Sequence, residues 1–155
     1  MRWGTALACA IAGIALAGCG STQTPAKAVA LWASPRGASL SEGVSTLLAD
    51  SHSVHAAIIR RAGVKQLHTV CVELLNDAQG TNDALPTPDA QLTRLLSEAY
   101  GHLVHAANAC YTEAASRVAL AAADRERSAA IGLLIEAVLR EEAVTGSSLH
   151  IPGIL

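Results

Sequence analysis

The chain has 155 residues, 51% of them hydrophobic and 15% charged, with a formal net charge of -2. That length suits one domain, because two independent cores would each be small. The near-neutral charge removes the electrostatic case for a nucleic-acid partner, which needs clustered Lys and Arg. The high apolar and low charged content excludes a wholly disordered chain.

Arg2 supplies one positive charge, and an uncharged apolar run follows from Ala6 to Leu16. A bilayer span takes about 20 apolar residues, whereas a signal-peptide core takes about 7 to 15, so the run fits the second. It ends in Leu16-Ala17-Gly18-Cys19, which resembles the bacterial lipobox. The resemblance implies that residues 1–18 are a lipoprotein signal peptide, that the chain is cut before Cys19, and that Cys19 carries the lipid. Ala17 and Gly18 are small enough for a peptidase to approach the backbone, and Leu16 fills the apolar position. The competing reading is an ordinary secretory signal with an incidental Cys, cut after an A-x-A-like site. Two acyl chains on Cys19 satisfy the two-signal requirement for stable anchoring. The expectation is a lipid-anchored protein on the extracytoplasmic face of the cell membrane.

Four Cys then separate by fate. Cys9 leaves with the signal, Cys19 is lipidated, and Cys71 and Cys110 remain. In an oxidising compartment these two are expected to form a disulfide. Their separation corresponds to roughly 3 to 4 kcal/mol of loop-closure entropy removed from the unfolded chain. A redox-active role fits poorly, because the pair is not C-x-x-C and both thiols fall on apolar stripes.

Residues 19–38, rich in Ser, Thr, Pro and Gly, read as a flexible tether with one apolar island ending at Trp32, which is expected to dock on the domain. Residues 39–145 read as the domain. Ser39 or Ser41 is a good N-cap, and Glu42 completes a capping box with Ser39. Val44, Leu47, Leu48, Ser51, His55, Ile58, Ile59 and Ala62 recur at helical spacing. Gly63 suits a C-cap or a kink, and Val64, Leu67, Cys71, Leu74, Leu75 and Ala78 keep the same period. The two stretches are either two helices or one bent helix.

Pro86-Thr87-Pro88-Asp89 reads as the next helix start, with Thr87 capping, Pro88 in the first position and Asp89 at the positive helix end. Leu92, Leu95, Leu96, Ala99, Leu103, Ala106, Ala107 and Cys110 form its apolar stripe. A last helix covers about Ser116 to Glu142, with Asp124 as a possible break and Ile131, Leu134, Ile135, Val138 and Leu139 as its most apolar part. Residues 146–155 read as a frayed tail. Alanine, 32 of the 155 residues, favours helix and close helix approach, and sustained period-2 alternation is missing. The fold class expected is all-α, a bundle of three to four helices pinned by one disulfide.

The disulfide sets a geometric problem for that bundle. In a plain antiparallel hairpin Cys71 and Cys110 sit at different heights, offset by roughly 20 Å at 1.5 Å per residue. Either the loop at 80–86 runs on in extended form, or the later helix breaks at Gly101.

His52-Ser53-Val54-His55 and His102-Leu103-Val104-His105 are two H-x-x-H units. Convergence of His52, His55, His102 and His105 between facing helices would suit Zn or Cu, with Glu98 or Glu113 as possible additions. The plainer reading is boundary histidines on amphipathic helices, and His68 is a lone boundary residue on either view. No metal or other cofactor is therefore expected. No Gly-x-Ser-x-Gly elbow or phosphate loop is present. The charge-dense segments at 124–127 and 140–142 read as solvated helix faces with local ion pairs.

The order of lipobox, short tether, Cys71, Pro86-Thr87-Pro88-Asp89, Ala106-Ala107-Asn108-Ala109-Cys110 and an Ala-rich last helix resembles the small envelope lipoproteins of actinobacteria. The resemblance implies an all-helical, disulfide-pinned envelope domain and carries over no catalytic residues. The function expected is non-enzymatic binding of another envelope component, a protein or a lipid-like ligand, through a groove of the bundle. Metal binding by the two H-x-x-H units is the alternative.

Overall fold

A computed structural model describes residues 23–34 and 40–148. The protein is all-helical, with α1 Pro25–Trp32, α2 Leu40–Ile59, α3 Val64–Asn82, α4 Ala90–Thr112 and α5 Arg117–Thr145. α2 packs on α3, α3 on α4, α4 on α5, and α5 closes the ring against α2, so α2–α5 form a four-helix bundle with α1 laid against α5. The bundle class and the Cys71–Cys110 disulfide are as expected, with one helix more than anticipated.

The extra helix is α1, within the segment read as tether. Thr24 caps it by accepting from the Lys27 N–H, and Pro25 occupies its first turn, the pattern in which a missing proline N–H costs nothing. Val29 is fully buried, and the Trp32 indole Nε1–H donates to the Ala84 carbonyl at 3.0 Å. Trp32 therefore docks on the bundle. The Ser39 N-cap lies outside the described residues.

α2 and α3 are two helices. The left-handed residue between them is Arg61, at φ 54, and not Gly63. Ala62 N–H bonds to the Ala57 carbonyl and Arg61 N–H to the Ile58 carbonyl, the paired pattern of a Schellman ending. Gly63, at φ -65, is the N-cap of α3. The buried face of α2 is Leu40, Val44, Leu47, Ser51, Val54 and Ala57. It is rotated from the expected stripe, so that Ile59 is 64% exposed.

α4 starts two residues later than its sequence suggests. Asp89, and not Thr87, is the N-cap, its carboxylate accepting from Leu92 N–H at 2.7 Å. Thr87 is buried and holds the approach to the helix, donating to the Asp89 carbonyl while its own N–H reaches Thr93 Oγ1. The Leu85–Pro86 peptide is cis. α4 then runs unbroken through Gly101, so the connecting loop, and not a break in the helix, brings Cys110 level with Cys71 at a Cα–Cα distance of 6.0 Å.

α5 is also unbroken, through Asp124, and ends at Gly146 with φ 70, where glycine avoids the Cβ penalty of the left-handed region. Its buried seam is Ala123, Ala130 and Ala137 alternating with Arg127, Leu134 and Glu141. This is a seven-residue repeat whose small members let α4 approach closely. Leu139, placed in the apolar part of the helix by its sequence, is 58% exposed.

Asp89 also ties α4 to α5. Arg140 donates through Nε to Oδ1 at 3.1 Å and through Nη2 to Oδ2 at 2.6 Å. The Arg140 guanidinium holds the Asp89 carboxyl below the usual carboxylate range against the opposing effect of burial. Asp89→Ala removes both the cap and the forked pair and is expected to lower unfolding free energy by about 2 kcal/mol. Asp89→Asn, which keeps a capping oxygen, should cost about half as much. Urea denaturation of the two variants at neutral pH checks both.

Candidate functional site

Leu16, Ala17 and Gly18, which resemble a lipobox, and Cys19, the residue expected to carry the lipid, lie outside the described residues. Among the described residues no helix is long and apolar enough to cross a membrane.

The four histidines of the two H-x-x-H units are held apart. No Cα of α2 lies within 8 Å of one in α4, because α3 and α5 separate these diagonal helices. His55 Nδ1 pairs with Asp124 Oδ1 at 2.8 Å, and His102 pairs with Glu126. His52 lines a shallow groove beside Ser53 and Arg60, and His105 lines a different cleft, between α3 and α4. His68 packs on Tyr111 with ring centroids 4.4 Å apart. Among the described residues no group of three or more His, Cys, Asp or Glu is arranged to hold a metal ion.

The segment 124–127 is more than a solvated face. Its two carboxylates each take one histidine, and Arg127 is only 7% exposed. Arg127 Nε donates to Asp124 Oδ1 at 2.8 Å, and its Nη2 lies 3.2 Å from His55 Nδ1. Burial pushes the Asp124 carboxyl up, but the bonds from Arg127 and His55 outweigh it and hold the group low. Arg127 thus sits inside the bundle because its charge is met there. The same triangle speaks to acyl-transfer chemistry. Ser51 stands one turn before His55, yet its hydroxyl is fully buried and has no hydrogen-bond partner among the described residues. A nucleophile needs a base within reach and an opening for substrate, and Ser51 has neither.

Other concave regions lie elsewhere among the described residues. At the end of the bundle formed by the α2–α3 turn and the α4–α5 turn lies a cavity of about 320 Å³. Its walls include Ile58, Ala62, Leu67 and Leu120, and Arg61 and Arg117 stand beside them. Neither guanidinium has a carboxylate partner among the described residues. Ile59, Val64 and Val118, the last 81% exposed, extend the apolar surface around this end. α3 and α5 both begin here, and neither has an acidic residue in its first turn. Their positive ends therefore add to the arginines instead of being neutralised. Glu113, at the end of α4, is the carboxylate in the adjoining turn.

The second region is a cleft of about 640 Å³ between α3 and α4, lined by polar side chains and two glycines. Sequence reading missed both regions, because each is assembled from residues far apart in the chain with no common motif.

The chain matches no protein-family model, no curated protein and no solved structure.

Asp50 on α2 makes the bundle pH-sensitive. Burial, then the adjacent Asp77 carboxyl and the charge of Glu73, pushes it up to about 7. Because the folded value lies above the unfolded one, the folded state holds the extra proton. Stability is fully present below the unfolded value near 4 and is lost as pH rises through about 7. Glu141, raised by burial and by Glu142, acts in the same direction. Unfolding free energy at pH ~8 should be lower than at pH ~5 by on the order of 1 kcal/mol after allowance for solvent screening. Asp50→Asn, whose amide can donate to Asp77, should flatten that dependence. Denaturant titrations of both proteins at the two pH values read the difference.

Proposed function

We propose that this protein is a non-enzymatic lipoprotein anchored through Cys19 on the extracytoplasmic face of the cell membrane, and that its bundle end binds an acidic, lipid-like envelope component. The anchoring half rests on Leu16-Ala17-Gly18-Cys19 behind a short apolar run. The binding half rests on one observation, the cavity that sets apolar side chains next to Arg61 and Arg117. A ligand with an apolar segment gains by removing that segment from water against Ile58, Leu67 and Leu120, at about 25 cal/mol per Å² of apolar area. An anionic head gains from the guanidiniums, whose planar forks suit phosphate or carboxylate oxygens. The two helix N-termini at the same end favour the same sign of charge. A purely apolar ligand would leave the arginines without a role, and a purely anionic one would leave the apolar walls bare.

Two experiments separate the halves. Cys19→Ala in the full chain should move the protein out of the membrane fraction, and retention of acylated, membrane-bound material in that variant would refute the anchor. For the cavity, octyl phosphate is titrated calorimetrically into the purified protein and into Arg61→Asn/Arg117→Gln. Asparagine at 61 removes the charge while tolerating the left-handed backbone. Affinity should fall at least ~10-fold, about 1.4 kcal/mol, and equal binding to both proteins would reject the cavity as the site.

A further inference from the structure

We propose that the cleft between α3 and α4 is a second, separate site that binds a neutral saccharide. The cleft measures about 640 Å³, within the ~300–1,000 Å³ of small-molecule sites. Its position follows from the disulfide. Gly80 lies as far beyond Cys71 along α3 as Gly101 lies before Cys110 along α4, so the two glycines stand at matching heights on antiparallel helices, and both line the cleft.

Neither glycine is required by the fold. Among the described residues the glycine with positive φ is Gly146, so the backbone at 80 and 101 is open to any residue. A Cβ built at either position meets nothing within 4 Å, so packing does not require glycine there either. Glycine is among the poorest residues within a helix. What the pair achieves is space, and close access to backbone, between two helices.

The lining then names the ligand. The Gln79 and Asn82 carboxamides each carry donors and an acceptor, and the Ser97 and Tyr100 hydroxyls each do both. This alternation matches a polyol, in which every hydroxyl donates and accepts. Tyr100 lines the cleft and is only 2% exposed, and no hydrogen bond of its hydroxyl is present among the described residues. A buried phenol in this state needs a partner from solvent or ligand. The ionisable lining groups, Asp83 and His105, supply no cluster of one sign, so nothing there selects a charged ligand. The contrast is with the arginine-flanked cavity, which is built from other residues at the α2–α3 turn.

The test uses the full chain labelled with ¹⁵N and titrated with maltotriose, tri-N-acetylchitotriose and trehalose, all neutral, each to ~20 mM. At least one probe should give saturable shifts of the Gly80, Ser97 and Gly101 amides. Gly80→Ala/Gly101→Ala should weaken that binding at least ~10-fold while raising the melting temperature by several degrees, since alanine improves both helices. Gly132→Ala, on α5 and also with open space at its Cβ, should raise the melting temperature and leave affinity unchanged. Tyr100→Phe should weaken binding with the fold intact. Absence of saturable shifts with all three probes, saturable shifts confined to residues outside the cleft, or unchanged affinity in the double alanine variant would each overturn the proposal.

Discussion

The Cys71–Cys110 link decides how far α4 slides along α3, and most of the bundle's useful surface follows from that offset. Cys71 sits well inside α3 and Cys110 near the end of α4, with both sulfurs buried in the core. To bring them level, the chain crosses from Asp83 to Asp89 without regular structure and starts α4 beyond the end of α3. Thr87 and Asp89 fix that crossing with side-chain hydrogen bonds, and Arg140 anchors it to α5. The same register places Gly80 and Gly101 at one height and opens the polar cleft between their helices.

α5 serves as the partner common to α1, α2 and α4. Its alanine seam lets α4 pack closely, while its charged side chains reach in three directions: Asp124 to His55 on α2, Glu126 to His102 on α4, and Arg140 to Asp89 at the α4 cap. The result is a small domain whose few large side chains, Leu47, Leu74, Leu92, Leu96, Tyr100, Leu103 and Leu134, fill the centre while alanine sets the spacing. With so little bulk to bury, covalent and polar ties carry more of the specification of geometry than they would in a leucine-rich bundle.

Much of this was legible in the sequence, for identifiable reasons. α4 carries a regular leucine and alanine stripe, and Leu92, Leu95, Leu96, Ala99, Leu103, Ala106, Ala107 and Cys110 are buried as its spacing predicts. α5 was harder, because Arg127 and Glu141 occupy buried heptad positions while Leu139 faces outward, which blurs any apolar stripe. α1 was overlooked because Ser, Thr and Pro dominate its surroundings, although Thr24-Pro25 is a helix start and Val29 and Trp32 are apolar anchors. The reading of His52, His55, His102 and His105 as one cluster depended on which helices are neighbours, and the ring order α2–α3–α4–α5 sets α2 and α4 on a diagonal. The concave regions were not legible at all, since a cavity depends on register and turn geometry, which no local spacing encodes.

Because the register of α3 and α4 underlies both the cleft and the placement of the connecting loop, the most direct measurement is peptide mapping of the purified full chain, alkylated before any reductant is added. The expected result is a single linked pair joining the peptide that carries Cys71 to the peptide that carries Cys110, with neither thiol alkylated. Alkylation of both Cys71 and Cys110 under those conditions would contradict the covalent clamp and the register that depends on it.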